Sequence, residues 1–372
     1  MIPPMRKWML AVGGLVVGLG IAEGVCRLTV AYPAMSTLWA GGSTWRVRGL
    51  IADPDVEFSF EPGYSDRMSV PGDYDIAFSI SPQGLRDDRT YAPEHPGTTR
   101  ILLVGDSFVF GVGVELQDTL GRQLERDLNE DGAHGRPVEV VAVGVPGYGL
   151  DAYATLIERW VPRLHPDLIV VALFTGNDLM NYDVKRRDPR QVIEGTFVSR
   201  SKAWSWNLRK YSALASALLK RWNPYPAEAP ETAASRDPES MLPTMLPWIE
   251  RIAAPARSGG PPVSVLVIHG RETVLSWRDE HQPQAVRDQQ ARFLKRMNET
   301  LDEFTRRGAS VFNPQEAWVS APPPPTRYFL KIDAHLSAEG DGLMAGYLAT
   351  QLRQHLGAAL AGAPERTSQP PR

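Results

Sequence analysis

The sequence predicts an α/β protein, a three-layer α/β/α sandwich built on a five-stranded parallel sheet. Two observations predict it. Four continuous apolar runs rich in β-branched residues, "RILLVG" (100–105), "VEVVAVG" (138–144), "LIVVALF" (168–174) and "VSVLVIH" (263–269), have the pattern of strands buried on both faces, and "ASVFN" (309–313) is a weaker fifth. Helix-like stretches at 118–129, 151–164 and 284–307 lie between them, and strand, helix, strand in alternation implies right-handed crossovers with helices on both faces of the sheet.

Bulk properties narrow the function classes. The 372 residues, 43% of them hydrophobic, suffice for one large domain with elaborations. A net charge of −3 supplies no global basic field, which argues against nucleic acid as a partner. The single cysteine, Cys26, excludes an internal disulfide and a cysteine-rich metal site.

In chain order, Arg6 and Lys7 precede fifteen uncharged, mostly apolar residues at 8–22, after which Glu23 and Arg27 restore charge. That is the layout of an export signal. The run spans about 22 Å, short of the roughly 30 Å hydrocarbon core, though 24–34 can lengthen it. Residues 1–34 are therefore a signal peptide or a membrane anchor. No clean small-x-small cleavage site is present, which favours an anchor in the inner membrane with the rest of the chain extracytoplasmic.

Residues 35–99 hold many turn formers, with short alternating pieces such as "VEFSF" and "YDIAFSI" that predict small strands or hairpins, an N-terminal extension without a second core. The main domain is expected over 100–360. Residues 183–262 separate the third and fourth strands by far more than a simple crossover, and are read as an insertion containing a Pro/Ala/Glu-rich loop. Before that loop, "SKAWSWNLRKYSALASALLKRW" spaces Trp204, Leu208, Tyr211, Ala215, Leu218 and Trp222 roughly as one helix, with basic residues interleaved. It reads as an amphipathic helix packed on its own domain, or as a lid or a helix on a membrane surface. A last helix is expected near 338–356, and the tail at 361–372 reads as disordered.

Ligands of open parallel sheets bind outside the carboxyl ends of the strands. Those ends here carry Gly105-Asp106-Ser107, then "GVPGYG" with Gly147, then Thr175-Gly176-Asn177-Asp178, and after the fifth strand "KIDAHLSAEG" with Asp333 and His335. A serine attacks a carbonyl when a base takes its proton and an acid orients that base, roles that Ser107, His335 and Asp333 suit. The Ser107 and Gly147 N–H groups and the Asn177 amide suit the oxyanion hole. Each residue alone has an ordinary reading as a turn or cap. Four such turns in one order at strand ends do not. His269, at the end of the fourth run, is the rival base.

These blocks resemble the SGNH hydrolases, the GDSL esterase/lipase superfamily, over about residues 100–356. "GDSF" matches the first block with Phe108 in place of the usual Leu, "GVPGYG" the second, "GND" the third and "DAHLSAEG" the fourth. The resemblance implies a flavodoxin-like SGNH fold, Ser107 as nucleophile, His335 as base, Asp333 as orienting acid, and an oxyanion hole of Ser107, Gly147 and Asn177. One departure is the Asp333-Ala334-His335 spacing, where the family commonly has two intervening residues; the shorter spacing resembles SGNH-like proteins that modify exopolysaccharides. "SPQGLRDD" (81–88) also resembles an element of membrane-anchored bacterial members. The Gly-x-Ser-x-Gly of α/β-hydrolases is absent, residues 105–109 reading GDSFV.

The leading expectation is an extracytoplasmic serine ester hydrolase that removes short acyl groups, acetyl among them, from a glycan or lipid, with no cofactor. An O-acyltransferase using the same triad on an exopolysaccharide, and an idle glycan-binding protein, are the alternatives. Asp106 and Asp178 are expected to anchor the catalytic turns; no further ligands join them to complete a metal site. The sequence does not specify an oligomeric state.

Overall fold

The computed structural model describes residues 4–29, 48–70, 72–130, 136–180, 182–183, 189–193, 195–200, 203–220, 238–278 and 283–361. The expected tail beyond 361 and most of the Pro/Ala/Glu-rich loop lie outside these residues.

Helix α1 (Pro4–Thr29) comes first, followed by two small antiparallel pairs, β1 (Leu50–Asp53) with β2 (Glu57–Phe60), and β3 (Ser65–Val70) with β4 (Tyr74–Ser79). The central sheet contains β5 (Thr99–Gly105), β6 (Val138–Gly144), β7 (Leu168–Phe174), β10 (Val263–Ile268) and β11 (Ser310–Phe312), all parallel, in the order β11-β10-β7-β5-β6. The chain thus starts at β5, next to the edge, crosses to β6 at that edge, and then returns past β5 to β7 and builds outward on the other side. The reversal lies between the neighbouring strands β5 and β7, whose connections leave in opposite directions, which is where an open α/β sheet leaves a crevice. Gly105 pairs with Gly144, so the turns after β5 and β6 leave the sheet side by side.

Helices cover both faces. On one, α4 (Leu150–Leu164), α7 (Pro238–Arg257) and α9 (Gln284–Arg306) pack over Leu102, Val104, Val141, Val171 and Val265. On the other, α3 (Leu120–Glu130), α8 (Arg271–Trp277), α10 (Gln315–Ser320) and α11 (Ala338–Ala361) bury Ile101, Leu103, Val140, Val170 and Leu266. Alternate residues of each strand serve opposite layers, so every position of β5 is buried. The architecture is the three-layer sandwich expected of an SGNH fold.

The stretch at 183–262 differs in two ways from its reading as an insertion. Its last part, α7, is the ordinary crossover helix between β7 and β10, packed against α4, where the sequence pattern predicts no helix; Pro243, Pro247 and Pro255 lie within it. Its first part forms a hairpin, β8 (Arg190–Ile193) with β9 (Thr196–Ser199), followed by two helices where one was expected, α5 (Ala203–Tyr211) and α6 (Ala213–Lys220). The break falls at Ser212, whose hydroxyl accepts from the Ala215 N–H at 2.9 Å and so caps a new helix.

The residues before β5 join the main core. Leu50, Phe58, Phe60, Met68, Phe78 and Leu85 belong to the same apolar cluster as α4. Within α1, residues Lys7–Thr29 are long and apolar enough to cross a membrane, with none of their apolar window buried in the protein.

Candidate active site

Strand β5 ends at Gly105, and the chain turns through Asp106 into a single helical turn, α2 (Ser107–Phe110). Asp106 caps that turn, its carboxylate accepting from the Phe108 N–H at 3.0 Å. Its other oxygen accepts from the Asn177 side-chain amide at 3.0 Å, joining the first and third blocks. Burial pushes the Asp106 carboxyl up to about 6, against the opposing pull of the Phe108 N–H, the charge of His335 and the Asn177 amide. The β6 end passes so close that a Cβ on Gly144 would lie 2.4 Å from the Phe110 nitrogen, so only glycine fits there.

Arg86, from the "SPQGLRDD" stretch, holds the far end of α2. Its buried guanidinium donates to the carbonyls of Phe110 (2.8 Å), Gly111 and Val114 (2.6 Å), the groups a helix end leaves without partners. The element therefore has a physical role: it fixes the turn that carries Ser107.

His335 Nε2 lies 2.7 Å from Ser107 Oγ, and its Nδ1 is hydrogen-bonded to Asp333 Oδ1. The short spacing works because Ala334 takes a left-handed conformation, φ +70°, and lets its two neighbours meet. Burial raises the pKa of Asp333, but His335 and a tyrosine hydroxyl outweigh it and hold the carboxyl below its ordinary value. Phe108 packs its ring on the imidazole at 4.8 Å between centroids and on Phe174 at 4.4 Å. The loop is held at its base by the Leu330 N–H donating to the His335 carbonyl at 2.8 Å and by Arg271, whose guanidinium donates to the carbonyls of Leu330 and Lys331.

Two supporting residues were not singled out by sequence reasoning. Tyr74 donates its hydroxyl to Asp333 Oδ2 at 3.1 Å, and the Asp73 carboxylate accepts the backbone N–H groups of Lys331, Ile332 and Asp333 at 2.7, 2.9 and 2.9 Å. Both stand in the β3–β4 hairpin, some 260 residues away in sequence. Only "YDIAFSI", read as a small alternating strand, marked the place.

Gly147 also takes a left-handed conformation, φ +85°. Its carbonyl accepts from Arg190, and a Cβ there would meet the Phe197 ring at 2.7 Å, so the β8–β9 hairpin lies directly on this turn. Arg190 is held in turn by Glu57 at 2.9 Å. Asp178 is fully buried and accepts from the Phe174 N–H at 2.8 Å and the Tyr153 hydroxyl, while Tyr182 bridges the Leu150 N–H to the Asp178 carbonyl. Its place is structural, tying the third block to α4.

The rival base is elsewhere. His269 is buried, hydrogen-bonded to the Asn313 side chain at 2.8 Å, and burial lowers its pKa to about 4, so it stays neutral. Among the described residues no group of three or more His, Cys, Asp or Glu is placed to hold a metal ion.

A hydroxyl, an imidazole and a carboxylate in one relay, beside an amide donor at a neighbouring strand end, can carry out acyl transfer. The chain matches the GDSL-like lipase/acylhydrolase family over residues 103–343. It is similar in structure to TesA (12% identity, 69% of this chain and 99% of that one covered, TM-score 0.39). It is also similar to a family 3 carbohydrate esterase of Clostridium thermocellum (13%, 71% and 100%, 0.39) and to the acetyl xylan esterase AlAXEase (11%, 68% and 99%, 0.41). No curated protein matches the chain. The sequence match covers well over half of the chain, and with the fold it assigns this protein to the GDSL-like lipase/acylhydrolase family of serine ester hydrolases.

Proposed function

We propose that Ser107, His335 and Asp333 are the catalytic triad of an esterase that removes short acyl groups from a glycan or lipid outside the cytoplasm. The Ser107–His335–Asp333 hydrogen-bond relay carries this reading. His335 Nε2 takes the hydroxyl proton as Ser107 Oγ attacks the ester carbonyl carbon. The oxyanion is met by the N–H groups of Ser107 and Gly147 and the side-chain amide of Asn177, whose orientation Asp106 sets. Collapse expels the alcohol, which receives the proton from His335, and leaves an acyl-serine. Water, deprotonated by His335, then releases the acid and restores the hydroxyl. Asp333 stays ionised throughout and stabilises the imidazolium.

The apolar α1 behind Arg6 and Lys7 supports a tether with the catalytic domain on the far side of the membrane, since basic residues stay on the cytoplasmic side. The Asp-x-His spacing favours a second reading, transfer of the acyl group to an exopolysaccharide hydroxyl, through the same acyl-serine. Hydrolysis of p-nitrophenyl acetate, butyrate and octanoate, with and without a polysaccharide acceptor, tests both. Ser107→Ala should lower turnover about 10⁴-fold or more, and activity close to that of the unmodified chain would end the assignment. Acyl label moving to the acceptor instead of water would establish the transferase.

A further inference from the structure

We propose that α5 and α6 form an interfacial seat, lying in the headgroup region of the same bilayer that holds α1. The inference rests on the anchor reading given above and extends it to a second contact. It starts from Glu23, the first charge after the apolar run. Its carboxylate accepts from the Ala213 and Leu214 N–H groups, both at 2.9 Å, and from the Ser212 hydroxyl at 2.7 Å, capping α6. Arg27, one turn later and paired with Glu23 at 2.6 Å, donates to the Tyr211 carbonyl at 2.8 Å and so caps the end of α5. An acid at a helix start and a base at a helix end each complement the local dipole. The end of the apolar helix thus clasps the junction of α5 and α6, and sets their depth one residue beyond the apolar run.

That depth is the membrane boundary. Glu23 and Arg27 are the first charges after the apolar run, and charged groups are costly in the hydrocarbon and belong at its edge. The residues α5 presents there suit it. Trp204, Leu208 and Tyr211, spaced i, i+4, i+7 on one face, are 58%, 51% and 64% exposed, and Lys210 lies over the Tyr211 ring at 4.6 Å. Large aromatic and aliphatic side chains beside a cation are what a helix in the headgroup region displays. The opposite face of α5 is already occupied, since Trp206 is buried with Val198 and against Ile193 of the β8–β9 hairpin. The same hairpin brings Arg190 and Phe197 onto Gly147, so the seat reaches the candidate oxyanion hole through one structural element.

The full chain, reconstituted in vesicles of phosphatidylcholine with brominated acyl chains, tests the seat by fluorescence of the wild type minus Trp204→Phe. Trp204 is exposed and outside the catalytic groups, so the substitution leaves the fold and ester hydrolysis in place. Loss of the difference emission in brominated vesicles, with protection from aqueous acrylamide, is the expected result. Quenching by acrylamide and not by bromine would put the face in water, and protection from both would mean that protein covers it; either overturns the proposal. Flotation with the vesicles separates the two readings. A chain that floats but gives either of those results loses the seat and keeps the anchor, whereas one that does not float loses both.

Discussion

The hydroxyl of Tyr74 donates to Asp333 Oδ2 at 3.1 Å while Asp333 Oδ1 accepts from His335, so a residue of the N-terminal hairpin adds to the carboxylate's hydrogen bonding at the candidate triad. The bond favours the ionised acid, the form that can stabilise an imidazolium.

Tyr74→Phe should lower kcat about tenfold and leave KM nearly unchanged, since one hydrogen bond to a charged group of about 1.5 kcal/mol is lost away from the substrate. Without that bond the Asp333 carboxyl rises toward its ordinary value, so the acid limb of the kcat profile should move upward in pH. Steady-state kinetics across pH checks both, and an unchanged profile would show that the contact has no part in the reaction.

Ala334 is expected to be sensitive to branching at Cβ. Its left-handed backbone costs roughly 1–2 kcal/mol for a residue with a Cβ. Ala334→Gly should preserve turnover and raise thermal stability slightly, whereas Ala334→Val should displace His335 from Ser107 and reduce kcat strongly. Equal kinetics for the two variants would separate the backbone conformation from catalysis.

Arg86→Ala leaves the carbonyls of Phe110, Gly111 and Val114 buried without their donor. A loss of about 3 kcal/mol or more is expected from denaturant unfolding, because hydrogen bonds to a charged donor contribute about 1.5–3 kcal/mol each. A surface-like change of a few tenths would contradict the arrangement.

Asp106 and His269 are expected to give stability opposite pH dependences. Asp106 has its pKa raised from 3.8 to about 6, so between those values the folded chain keeps a proton the unfolded chain releases, and stability falls as pH rises. His269 is lowered from 6.5 to about 4, so the unfolded chain takes up a proton the folded chain refuses, and stability falls as pH drops through that window. Each contributes about 3 kcal/mol across its window. Relative to the unmodified chain, Asp106→Asn should gain stability from pH 4 to 6, and His269→Gln should gain it from pH 6.5 down to 4. Unfolding free energies at several pH values would show it, and differences flat in pH would remove the account.

The sequence alone determined the sheet and the strand ends. Runs such as "LIVVALF" are buried on both faces and need no context to be read, Gly105-Asp106-Ser107 and Asn177 stand where parallel strands stop, and Asp333-Ala334-His335 follows the last of them beyond a proline run. Local pattern failed where long-range contact decides. Helix α7, with three prolines in its span, is not expected from local pattern and is held by its packing on α4. The apolar spacing at 204–222 suggested one helix, but Glu23 and Arg27, nearly 190 residues earlier, cap two. Tyr74 and Asp73 are ordinary turn and strand residues until folding brings them to Asp333. Side-chain period and turn chemistry are written within a few residues and can be read there, whereas hydrogen-bond partners hundreds of residues apart are chosen only when the layers close.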